Sequence, residues 1–118
     1  MSSIAWQAAL EKEMDAAQKA WSEKNDGRAR TCVRRAVGII LLEYNHSINQ
    51  EAIPGKTALD RLRHVSTDYF FPEEIRKAAT RLTTNVNQRL TANFTFHPIN
   101  DANIIIRFFQ SEIAKFDR

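Results

Sequence analysis

One cysteine, Cys32, stands among the 118 residues. A lone cysteine excludes an intramolecular disulfide and a cysteine-based zinc site. Glycine and proline number three each, too few for a loop-rich or collagen-like chain. No apolar run approaches the ~18–20 residues that span a bilayer. The longest, Val37-Gly38-Ile39-Ile40-Leu41-Leu42, stops at Glu43. Glu11, Glu13 and Asp15 fall where a signal peptide is apolar, so the expected location is the cytoplasm, with no membrane contact. The glycines are isolated, which leaves no Gly-rich phosphate loop, and Gly-x-Ser-x-Gly and Cys-x-x-Cys are absent. His46, His64 and His97 are too far apart to be paired metal ligands on one helix face. The sequence calls for no metal and no cofactor.

The chain does have apolar residues in helical register. They make up 43% of it, enough for a globular core, and the length is that of one domain over residues 1–118. Trp6, Leu10, Met14, Ala17 and Trp21 recur every three to four residues and predict a helix over about 2–24. Asn25-Asp26-Gly27 is a turn signal, and Asp26 is a good cap for the next helix. Ala29, Val33, Ala36, Val37, Ile40, Leu41 and Tyr44 form one face of that helix, and Ile39 and Leu42 widen it. So broad an arc predicts a central helix. Gly38 within it costs about 1 kcal/mol against Ala, a cost that close approach of a neighbouring helix offsets.

Turn chemistry at Ile53-Pro54-Gly55-Lys56 precedes a short helix over about 57–65. Tyr69-Phe70-Phe71 leads into Pro72, Glu73 and Glu74, the expected first turn of a helix reaching about Leu90. These aromatics either plug a bundle end or anchor a protein interface. Residues 91–100 read as an ordered loop, and Asn100 or Asp101 as the cap of a last helix over about 102–115. Ile105, Phe108, Phe109, Ile113 and Phe116 would line its core side, with Ile104 and Ile106 pointing elsewhere. The fold class is therefore all-α, a four-to-five-helix antiparallel up-down bundle. Ile39, Leu42, Ile104 and Ile106 exceed a narrow apolar stripe. Such a surplus marks either central helices or an interface, and a homodimer is the expectation.

The net charge is +3, and eleven of the 17 basic residues are Arg. That balance permits an anionic partner, and Arg suits bidentate pairing with carboxylate or phosphate. The densest cluster is Arg28, Arg30, Arg34 and Arg35. Arg30 and Arg34 share one helix face, and Arg28 and Arg35 another. They form a candidate phosphate or nucleic-acid clamp. The alternative is pairing with the acidic first segment, which through Asp26 holds five acids against three lysines. Cys32 lies near the apolar face and reads as a buried small residue.

Two stretches carry a family resemblance. GRARTCVRRAVGIILLEY follows the first helix through a short turn, and the chain closes with QRLTANFTFHPINDANIIIRFFQSEI. In helix order and length they resemble the HEPN domains. The resemblance implies a small helical bundle that often dimerises. Many such domains are metal-independent ribonucleases, toxins of toxin–antitoxin pairs, or partners of nucleotidyltransferases. The family's active motif is an Arg followed by a His after four to six residues. Arg89 and His97 are the match here, with seven residues between them and Leu90 where a polar residue is usual. Members without the motif serve as binding or scaffold domains. The resemblance thus implies a dimeric module that binds protein or nucleic acid without robust catalysis, with RNA or a nucleotidyltransferase-like protein as partner. Its alternative is a metal-independent ribonuclease of toxin type. There His97 would be the general acid–base for attack of the 2′-hydroxyl, and Arg89 would stabilise the phosphoryl oxygens.

Overall fold

The apolar stripe of the first segment winds Ser3–Ser22 into α1 in the computed structural model of the chain, which describes residues 3–84 and 96–116. Leu10, Ala17 and Ala20 are buried along it, with Trp6, Met14 and Trp21 half-buried beside them. The chain turns through Lys24, held at φ 61°, into α2, Asp26–Ile48. The cap is Asn25 rather than the expected Asp26. Its side-chain oxygen accepts from the Arg28 N–H at 3.3 Å, and Asp26 sits in the first turn, where its charge suits the helix dipole. Asn49 ends α2 in the left-handed conformation, one of the few non-glycine residues that tolerate it.

The wide apolar arc of α2 is spent on three neighbours, α1, α5 and α3. Gly38 makes the α3 contact possible. A Cβ there would lie 2.5 Å from the Cβ of Ala58, so only glycine lets the backbones come this close. The connection to α3 is fastened by buried Asn45, which donates to the Ile53 carbonyl and accepts from the Ile53 N–H, both at 2.9 Å. Helix α3 spans Ala58–Thr67 and is capped by Thr57, whose hydroxyl accepts from the Asp60 N–H. Ser66 and Thr67 stay helical, against expectation, by returning their hydroxyls to the carbonyls of Arg63 and His64.

Helix α4, Glu73–Thr83, opens after Pro72 with two acids in its first turn. Its predicted continuation to Leu90 lies outside the described residues. The last helix, α5, spans Pro98–Ala114. It begins earlier than expected because His97, not Asn100 or Asp101, is the cap and Pro98 takes the first helical position. The predicted loop therefore gives up residues 98–100 to the helix.

One contiguous core joins all five helices. Tyr44, Phe71 and Phe109 of this core and Phe108 packed against it meet edge-to-face, with ring centroids 5.0–6.3 Å apart. The architecture is an all-α bundle, with no strand among the described residues. Three apolar expectations are corrected. Ile106 is buried and Ile104 packs on the core, because α5 meets α2 on one side and α4 on another. Phe116 is 53% exposed, since the helix ends at Ala114 and the register ends with it. Of the surplus positions only Leu42, at 40%, counts as exposed. No described helix is long and apolar enough to cross a membrane.

Candidate functional site

Where α1 and α4 end and α2 and α5 begin, polar side chains replace the apolar stripe. Two tertiary interactions fix the geometry. Arg81 in the last turn of α4 makes three hydrogen bonds to the carboxylate of Asp101 in α5, at 2.7–3.0 Å. Asp101 is buried, and this bidentate bond holds the Arg81 pKa above its ordinary value. Trp21 at the end of α1 packs its ring on His97, with centroids 5.5 Å apart and planes tilted by 33°. A cavity of about 410 Å³ opens beside Trp21, Lys24 and Asp26.

The arginines of α2 divide into three kinds. Arg30 is buried and donates from Nε to Asp26 Oδ2 at 3.1 Å, a bond one helical turn long. Arg34 is half-buried and donates from Nε to the Leu82 carbonyl at 2.8 Å. That carbonyl belongs to the last turn of α4, and a cation there complements the dipole. No carboxylate neutralises Arg34 among the described residues. Burial, and then the charges of Arg30 and of Arg63 on α3, push its pKa below the ordinary value. The side chains of Arg28 and Arg35 are exposed and make no hydrogen bond or ion pair among the described residues.

The alternative, pairing with the acidic segment that runs through Asp26, holds for Arg30, which bonds Asp26. Among the described residues no ion pair joins Arg28, Arg34 or Arg35 to Glu11, Glu13, Asp15, Glu23 or Asp26. The structure thus places Arg28, Arg30, Arg34 and Arg35 along the first half of α2 and adds Arg63, which the sequence spacing does not reveal. Arg81 and Asp101 were also missed. They stand 20 positions apart, and no local pattern links them.

Of the proposed catalytic pair, Arg89 lies outside the described residues. His97 is exposed, and its Nδ1 accepts from the Asn100 N–H at 3.4 Å. A ring that accepts at Nδ1 carries its proton at Nε2 when neutral. His46 and His64 sit elsewhere, beside Glu43 and Asp68. Cys32 is buried as expected. Among the described residues no group of three acidic, His or Cys side chains converges as a metal site would require. The aromatic run splits, with Phe71 in the core and Tyr69 and Phe70 exposed at 83% and 76%.

Chemically, this end of the bundle offers several guanidinium groups, a histidine stacked on a tryptophan, and a cavity beside them. Comparison with family models, with curated proteins and with solved structures finds no match to this chain.

Proposed function

We propose that the chain is a helical module that binds RNA through the arginine-bearing half of α2, with Arg63 of α3 alongside, and that it does so without robust catalysis. The observation that carries this reading is Arg34. A half-buried guanidinium with no carboxylate partner among the described residues, pressed by two further arginines, is electrostatically incomplete. A phosphate oxygen supplies what is missing, and a fork of N–H donors suits it. Exposed Arg28 and Arg35 extend the positive surface along the helix. The resemblance of the two sequence stretches to the HEPN domains supports a module that pairs with a second copy. Leu42 is the exposed apolar contact on α2 that a homodimer would use. Sedimentation that shows only monomer at high concentration would remove that part.

The test is anisotropy of a labelled single-stranded RNA with wild type, Arg34→Gln and Arg35→Gln. Both variants should bind more weakly, Arg34→Gln by tenfold or more, with unchanged circular dichroism. Equal affinity in all three proteins rejects the site.

A second reading keeps Arg89 and His97 as a ribonuclease pair, favoured by the position of His97 at this same end, on Trp21. Cleavage of labelled RNA in EDTA, lost in His97→Ala, would establish it. Cleavage unchanged by that substitution would reject the assigned residues.

A further inference from the structure

The cavity where α1 passes into α2 stands at the head of the arginine surface, yet its chemistry is not that of a phosphate site. Its volume of about 410 Å³ lies in the range of about 300–1,000 Å³ that holds a small ligand. An aromatic ring, a cation and a carboxylate line it, from Trp21, Lys24 and Asp26. Trp21 is half-buried and also packs on the His97 ring. Lys24 is exposed, and its ammonium joins no ion pair among the described residues. Its backbone is set by the left-handed turn, and its N–H donates to the Trp21 carbonyl at 3.0 Å. Asp26 accepts the Arg30 Nε–H at Oδ2. That bond takes one of the roughly four acceptor positions of a carboxylate, and the Asp26 side chain remains 53% exposed.

These three groups narrow the occupant. A phosphate would meet the Asp26 carboxylate. An apolar side chain would strip water from Asp26 and Lys24 and return nothing. A neutral, planar ring with donors and an acceptor on one edge suits all three, and that is a nucleobase. Unpaired bases of a single strand stack on aromatic side chains and are read on their exposed edges. The Watson–Crick edge of guanine presents two adjacent donors, N1–H and N2–H, beside one acceptor, O6. A carboxylate takes both donors, and an ammonium meets O6. Adenine and cytosine offer a carboxylate one exocyclic amine, and uracil offers one ring N–H between two oxygens. Guanine is therefore the base that uses both oxygens of Asp26.

We infer that this cavity receives an unpaired guanine of the bound RNA, with its ring against Trp21, its N1–H and N2–H on Asp26 and its O6 at Lys24. The inference rests on the reading of α2 as an RNA surface and adds a base preference to it. The two surfaces are continuous. Asp26 is bonded to Arg30, whose charge acts on Arg34, and the eight residues from Asp26 to Arg34 span roughly 12 Å of helix. The arginines hold the strand by its phosphates, and the cavity sets its register.

The experiment has two arms on the full chain. The first measures anisotropy of the labelled RNAs UUUUU, UUGUU, UUAUU and UUIUU with wild type, Asp26→Asn and Arg34→Gln. UUGUU should bind about tenfold or more tighter than UUUUU and UUAUU. Inosine lacks the N2 amine, so UUIUU should fall between. Asp26→Asn keeps an oxygen for Arg30 but has one where guanine brings two donors, and it should abolish the preference. Arg34→Gln should weaken all four RNAs by a common factor and leave the preference in place. The second arm follows the Trp21 indole N–H by NMR with guanosine and uridine, which carry no phosphate. Guanosine should shift that signal at concentrations where uridine does not. Equal binding of UUGUU and UUUUU, a preference that survives Asp26→Asn, or no Trp21 shift with guanosine would overturn the base site. RNA affinities unchanged in Arg34→Gln, with guanosine still shifting Trp21, would overturn the phosphate surface alone.

Discussion

Removing Arg81 should destabilise the protein more than neutralising its partner Asp101. The two groups share three hydrogen bonds at 2.7–3.0 Å. Their exposures differ, however. The Asp101 side chain is 7% exposed and that of Arg81 is 32%. Arg81→Met leaves a buried carboxylate without its partner, a loss of about 3–5 kcal/mol. The dipole of α5 softens this by up to about 1 kcal/mol, because Asp101 lies in the first turn. The net cost is about 2–4 kcal/mol. Asp101→Asn keeps an oxygen for Arg81 to meet and leaves a cation able to reach water, so it costs about 1–2 kcal/mol. Arg81→Met with Asp101→Leu replaces the pair by apolar groups and should return to within about 1 kcal/mol of wild type. Urea unfolding followed by circular dichroism measures all three. In thermal melts each kcal/mol corresponds to about 3–6 °C at this size. Equal losses in the two single variants, or a double variant no better than Arg81→Met, would refute the reasoning.

Three further outcomes are expected. Gly38→Ala should lose about 1–3 kcal/mol through overpacking against Ala58, despite the better helix propensity of Ala; Ala58→Gly in the same chain should recover part of it in urea melts. Asn45→Ala should cost about 2–4 kcal/mol in the same assay, because the Ile53 N–H and carbonyl both lose their partner in a buried site. Tyr44 has a pKa raised by burial, then by Glu112 and Asp68. Its contribution is whole below the ordinary phenol value of about 10 and fades as pH rises through the folded value. Tyr44→Phe should therefore match wild type near neutrality and lose less stability at alkaline pH; parallel decline of the two proteins would contradict this.

Helices were readable in the sequence where a periodic stripe met a punctuating residue. The stripe ending at Asn25 and Gly27, and Pro72 followed by two acids, marked boundaries that the structure keeps to within a few residues. The central place of α2 was also legible, because a wide apolar arc needs several neighbours. The start of α5 was misread because His97 is not among the usual capping residues, although Pro98 is a favoured first helical residue and signalled it. Ile106 was placed outside because periodicity describes one buried face, whereas α5 is enclosed on two sides. The residue types of the candidate site were legible in the arginine cluster of α2. Their partners were not. Arg34 bonds a backbone carbonyl 48 positions away, and a carbonyl has no sequence signature.

The central claim is that arginines on α2 and α3 bind RNA phosphates, and the salt dependence of RNA affinity tests it most directly. Four contacts, from Arg28, Arg34, Arg35 and Arg63, predict a slope of log affinity against log salt of about −2.8 for a single strand. Affinity should then fall about 50-fold between about 50 and 200 mM salt. Arg35→Gln should lower the steepness of the slope by about 0.7, with the fold unchanged. A slope near zero, or one that Arg35→Gln and Arg34→Gln leave unaltered, would contradict the account.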